Sequence, residues 1–179
     1  MSEVELGKVR VQGLVMPPAL TPNQLHRHLL RADDVARRAM AMGRHPFGAL
    51  LVAPDGETVL AEQGNIDTVH HAEATLARTV SLNYLASYLW GCTLVTTFEP
   101  CAMCTGTIYW AHIGHIAYGA SETALLALTG NHPDNPTLSL PCREVVARGQ
   151  KPILVTGPVP EMEVSMVATH RHFWQRQGG

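Results

Sequence analysis

Lysine is almost missing from this chain: of thirteen basic residues only Lys8 and Lys151 are lysines, and the formal charge is −2. A chain so close to neutral lacks the broad basic surface on which polynucleotide affinity rests, which argues against a nucleic-acid substrate while leaving room for a local basic patch. Long apolar runs are absent too. No stretch approaches the ~20 residues that cross a bilayer, and the segment from Met1 to Pro18 carries Glu3, Glu5, Lys8 and Arg10 where a secretory signal would have a compact apolar block. A cytoplasmic location without membrane contact is the expectation. Cysteine is scarce: four in 179 residues do not make a disulfide scaffold. Cys92 and Cys142 are isolated and read as small buried residues, whereas Cys101 and Cys104 are spaced as a pair. With no repeat, charge run or linker, the chain reads as an N-terminal extension over residues 1–20 and a single domain over 21–179.

What is present has a clear order. Thr21-Pro22-Asn23-Gln24 supplies a capping residue, a proline at the first helical position and a glutamine at the third, with Leu20 and Leu25 placed as a hydrophobic staple. That helix is predicted to run to about Met42 and stop at Gly43. A hairpin follows, Phe47 to Ala53 and Thr58 to Ala61, around the turn Pro54-Asp55-Gly56. Then come a helix from about His71 to Leu89, a strand from Thr93 to Phe98, a helix from about Cys101 to Ala111 and a strand near His115–Tyr118. A short helix over Ser121–Leu128, an irregular stretch from Asn131 to Pro141, a strand over Pro152–Thr156 and a helix from Glu161 to about Arg176 complete the chain. Helical crossovers between strands predict a mixed sheet with helices on both faces, the hairpin supplying its antiparallel part.

Two segments carry chemistry, His71-Ala72-Glu73 and Pro100-Cys101-Ala102-Met103-Cys104. A Cys-x-x-Cys pair in the first turn of a helix puts two sulfurs at the helix end, where the N-terminal partial charge favours thiolates. Zinc takes two cysteines and one histidine readily, and three protein ligands leave a fourth position for water. No further Cys or His pair is spaced to close the site, which favours catalysis over a structural role. Glu73 stands two residues after His71. Residues so spaced share no face in mid-helix, so both address one metal only if it lies off the helix end. A carboxylate there can move protons between a water and a leaving amine. A thioredoxin-like redox pair is the competing reading of Cys101 and Cys104, and it leaves His71-Ala72-Glu73 unexplained. His70 reads as a surface or capping histidine.

These segments resemble the zinc nucleobase and nucleoside deaminase superfamily, whose H-x-E…P-C-x-x-C pattern they match. Pro46-Phe47-Gly48-Ala49, Gly64-Asn65 with Asp67, Thr97-Phe98-Glu99, and Tyr118-Gly119-Ala120 extend the similarity over about Arg44 to Ser121. The resemblance implies a three-layer α/β/α cytidine-deaminase-like fold with a five-stranded mixed sheet, a Zn2+ cofactor and a homodimer. It also implies His71, Cys101 and Cys104 as zinc ligands and Glu73 as the proton shuttle. Asn65 is implied as a partner of the base, with a plain turn residue as the alternative, and Phe47 as a pocket wall, with core packing as the alternative. Ile108-Tyr109-Trp110 resembles the guanine and cytosine deaminase branch more than the tRNA branch, and Trp110 is either a substrate contact or a packing or dimer residue. The loop from Ile66 to His70 is shorter than in those relatives. Asp134, or else His132, stands where guanine deaminases read the purine with an acid. The implied activity is hydrolytic deamination of a small nucleobase or nucleoside, guanine-like first, with cytosine and aminotriazines open. The alternatives are a tRNA adenosine deaminase and a catalytically idle zinc fold used for binding.

Overall fold

The computed structural model of the chain describes residues 5–6, 9–10, 18–130, 132 and 137–177. Near the N-terminus β1 (Glu5–Leu6) and β2 (Val9–Arg10) form a short antiparallel ribbon. The first long element is α1 (Pro22–Ala41). Its start is the capping box: Gln24 N–H donates to Thr21 Oγ1 at 3.3 Å, and Thr21 N–H donates to Gln24 Oε1 at 2.9 Å. Leu20 and Leu25 pack into the same apolar cluster, so the staple forms as well.

The hairpin β3 (Gly48–Val52) and β4 (Val59–Gly64) turns on Asp55, whose Oδ1 accepts the N–H groups of Glu57 and Thr58 at 2.8 and 2.9 Å, and on Gly56 at φ 72°. Beyond it lie β5 (Thr93–Phe98), α4 (Ala102–Trp110), β6 (His115–Ala120), α5 (Glu122–Thr129), β7 (Leu154–Thr156) and α7 (Pro160–Gln177). The sheet order is β4-β3-β5-β6-β7. β3 pairs antiparallel with β4 and β5, while β5–β6 and β6–β7 are parallel because helices make those crossovers.

Alternate residues of β3 face opposite sides. Ala49 and Leu51 pack with Leu76 and Val80 of α2 (Ala72–Asn83) and Ile108 of α4; Leu50 and Val52 pack with Leu29 and Val35 of α1 and Met166 of α7. The result is the three-layer α/β/α arrangement with a five-stranded mixed sheet. Gly48 permits the tight seat of α1 on β3, since a Cβ there would lie 2.3 Å from the Ala32 carbonyl oxygen.

One expectation is corrected and one element is new. The helix read as 71–89 is α2 and a short α3 (Ala86–Leu89), separated by Tyr84 and Leu85 in extended conformation. Ser81 Oγ and Asn83 Nδ2 bond the carbonyls of Arg78 and Thr79 at 2.8 and 2.7 Å, and such local bonds compete with helix continuation. Leu82 and Leu85, apolar at helical spacing, are exposed. The new element is a helix, α6 (Cys142–Ala147), which starts directly after Pro141. Among the described residues, no helix is long and apolar enough to cross a membrane.

Candidate active site

The loop leading to His71 is set by Asp67. Its Oδ1 accepts the N–H groups of Val69 and His70 at 2.8 and 2.7 Å, and the His70 ring lies 2.9 Å from Oδ2. Those backbone bonds, His70 first, hold the Asp67 carboxyl down at about 2. His70 is thereby an exposed partner of the loop, and His71 becomes the N-cap of α2 with ψ 151°.

Across from it, Pro100 ends the β5 segment and Cys101 is the N-cap of α4, with Cys104 in the first turn. His71 Nδ1 lies 3.7 Å from Cys101 Sγ and 3.5 Å from Cys104 Sγ, and the three ligand atoms all lie within 4.8 Å of one another. With Zn–S about 2.3 Å and Zn–N about 2.0–2.1 Å, tetrahedral geometry puts a nitrogen and a sulfur ligand about 3.6 Å apart. The donor set fits zinc in both type and spacing.

Proton sharing agrees with that fit. The Cys101 thiol is drawn down to about 4 by hydrogen bonds from Cys104 and His71, while the bond to Cys101, burial and the nearby Glu73 push Cys104 well up. The two sulfurs thus divide one proton, which a divalent cation displaces on binding. Hydrogen bonding to Cys101, with Glu73 nearby, raises His71.

Glu73 lies in the first turn of α2 and is only 4% exposed. Its Oε1 accepts from the Thr96 hydroxyl at 2.9 Å, and Cys104 Sγ lies 3.6 Å from Oε2. Burial is the chief cause that raises its carboxyl above the ordinary range. Glu73, His71 and Cys101 line a cavity of about 240 Å3.

Residues 22–120, more than half of the chain, match the cytidine and deoxycytidylate deaminase zinc-binding region. The chain belongs to that family. This deaminase, of the nucleobase and nucleoside type, is similar to a Schizosaccharomyces pombe protein named probable cytosine deaminase, at 31% identity over 150 residues covering 82% of this chain and 90% of that one. Guanine deaminase of Bacillus subtilis is 40% identical over 82 residues, 44% of this chain and 52% of that protein. A solved structure of guanine deaminase from Nitrosomonas europaea superposes with a TM-score of 0.66 at 23% identity, covering 97% of this chain and 96% of that one, and shows the shared fold.

The other residues singled out from the deaminase sequence fall in different places. Phe47 is half-buried and lines the cavity while also packing on both apolar clusters, so pocket and core are the same contact surface. Its ring meets His170 at 4.6 Å and Phe98 at 5.8 Å. Asn65 is 2% exposed. Its Nδ2 donates to the Asp67 carbonyl at 3.1 Å, a turn role, while Oδ1 has no hydrogen-bond partner; the side chain is not part of the cavity lining.

Of the two readings of Trp110, a substrate contact or a packing or dimer residue, the first finds no support in this cavity, whose lining does not include it. It ends α4, about 13 Å of helix rise from the Cys101 end, and is 74% exposed beside Lys151, whose Nζ is 5.5 Å from the ring centroid. Asp134 lies outside the described residues, and His132 packs on Trp174 at 4.7 Å.

Sequence reasoning missed His45, Glu99 and Glu122, which also line the cavity. Glu99 directly precedes the zinc segment and could have been noticed there. Glu122 looks like any acid opening a helix.

Proposed function

We propose that this chain is a zinc-dependent hydrolase that removes an exocyclic amino group from a free nucleobase or nucleoside, guanine-like purines first. The observation that carries this reading is a buried carboxylate, Glu73, set beside a histidine and two cysteines whose spacing suits zinc, with Glu73, His71 and Cys101 facing one small cavity and Cys104 buried behind them. His71, Cys101 and Cys104 would hold the zinc, which when bound would supply a Lewis acid able to bring a water's pKa toward neutrality. Glu73, steadied at Oε1 by Thr96, takes a proton at Oε2 and returns it to a ring nitrogen and then to the departing amine. Water is consumed, a C–O bond replaces the C–N bond, and ammonia leaves.

Several features bear on the substrate. A cavity of about 240 Å3 sits just below the ~300–1,000 Å3 of drug-sized sites, a volume suited to a bare heterocycle. Phe47 and His45 offer ring faces, and Glu122 offers an acceptor suited to a base rich in N–H groups. Asn65, although outside the cavity lining, keeps a place in this proposal as a partner of the base, because its buried Oδ1 is unpartnered. The assembly we propose is a homodimer, for which the exposed indole of Trp110 is a suitable contact.

The test is ammonia release by the zinc-loaded chain from guanine, guanosine, cytosine, adenine and aminotriazines, with a tRNA arm scored for adenosine-to-inosine conversion. The expected result is release from a small base, guanine giving the largest kcat/KM. Conversion of tRNA alone, with salt-sensitive binding, replaces the substrate class. Inertness across the panel with zinc in place makes the chain a binding module.

A further inference from the structure

Glu122 opens α5 directly after Ser121, whose hydroxyl caps the helix by accepting from Ala124 N–H. An acid at that position gains from the helix's positive end even when solvated, so its place on the helix does not explain its burial. It is 5% exposed. Its Oε2 has no hydrogen-bond partner. Burial, then the neighbouring Glu99, pushes the Glu122 carboxyl up to about 7.

The other two acids of the cavity are engaged. Glu99 accepts the Cys142 N–H on Oε1 at 2.9 Å and the Glu122 N–H on Oε2 at 3.2 Å. Glu73 is bonded to Thr96 beside the metal-ligand trio. Among the described residues lining the cavity, Glu122 is therefore the carboxylate with an open acceptor. A buried, unpaired carboxylate oxygen is costly and calls for a partner, and Glu122 is one of the residues lining the cavity.

We propose that Glu122 is a specificity residue whose Oε2 accepts an N–H from the bound heterocycle, one other than the leaving amine. It thereby selects bases with a ring N–H or second amino group at that edge over bases presenting a carbonyl or a bare ring nitrogen. The inference rests on the deaminase reading above. A substrate N–H also favours the ionised carboxylate, so binding holds the acceptor ready.

The experiment measures dissociation constants of guanine and of 1-methyl-, 7-methyl- and 9-methylguanine on zinc-loaded Glu73→Ala chain, with and without Glu122→Gln. Glutamine keeps the shape but replaces a carboxylate acceptor with an amide that also donates. The expected result is guanine binding weakened 10- to 100-fold by Glu122→Gln, the range of a hydrogen bond to a charged group. One methylguanine, already lacking the donor, loses nothing further. A uniform shift across all four bases, no shift, or no binding of any base overturns the inference. If Glu122→Gln does not fold, Glu122→Asp must show the same selective loss, because it keeps the charge but withdraws it by one methylene. Ammonia release by the parent chain judges the deaminase reading separately. An active parent with a uniform shift rejects the role of Glu122 alone, whereas selective binding without ammonia release rejects deamination alone.

Discussion

Glu73→Gln is expected to lower kcat for ammonia release by roughly 10²–10⁴-fold, the range for loss of a positioned general acid–base group, with zinc per chain unchanged. The amide has the same shape and can still accept from the Thr96 hydroxyl, which now lies 2.9 Å from Oε1, so the local structure has no reason to yield. What it lacks is a site for a proton. Glu73 suits proton transfer because burial raises its carboxyl above the ordinary range, which makes it a better base toward a water while leaving it able to donate to an amine. Ammonia release on the best substrate, with metal analysis on the same sample, checks this. A variant within tenfold of the parent would show that the proton travels by another route.

Cys104→Ala is expected to strip the chain of stoichiometric zinc and take ammonia release to background. Cys104 is fully buried in the first turn of α4, and its thiol is held protonated by Cys101, burial and Glu73, so metal entry has to displace that proton. Zinc affinity therefore falls as the pH falls. The chain contains its own controls. Cys92 and Cys142 are also buried with raised pKa values, Cys92 to about 12, but neither belongs to the metal-ligand trio. Cys92→Ala and Cys142→Ala should keep the parent's zinc content. Metal analysis of the four chains after gel filtration gives the answer, and zinc retained by Cys104→Ala would remove that sulfur from the site.

The features legible in the sequence are those encoded within a few neighbouring residues. Thr21-Pro22-Asn23-Gln24 specifies its own cap, Pro54-Asp55-Gly56 its own turn, and His71-Ala72-Glu73 and Pro100–Cys104 each specify a helix start with functional side chains at its end. The cavity walls are another matter. His45, Leu125 and Leu138 share one cavity with His71 and Cys101 because β3, β5 and β6 are neighbours in the sheet and the segments flanking them converge. No local pattern encodes that convergence. Glu122 illustrates the loss most clearly, since an exposed helix-opening acid and a buried one with an open oxygen look alike in sequence. Trp110 fails for the opposite reason: its neighbours in sequence belong to the zinc helix, but the helix carries it to the far end. The break at Tyr84 and Leu85 escaped because Leu82 and Leu85 continue an apolar spacing that the fold leaves exposed.

The account stands on a metal held by one imidazole and two sulfurs next to Glu73, and X-ray absorption at the zinc edge on the parent chain probes that sphere directly. The prediction is one zinc per chain with two sulfur scatterers at about 2.3 Å and the remaining nitrogen or oxygen scatterers at about 2.0–2.1 Å. A chain without stoichiometric zinc, or a zinc surrounded by nitrogen and oxygen alone, would contradict it.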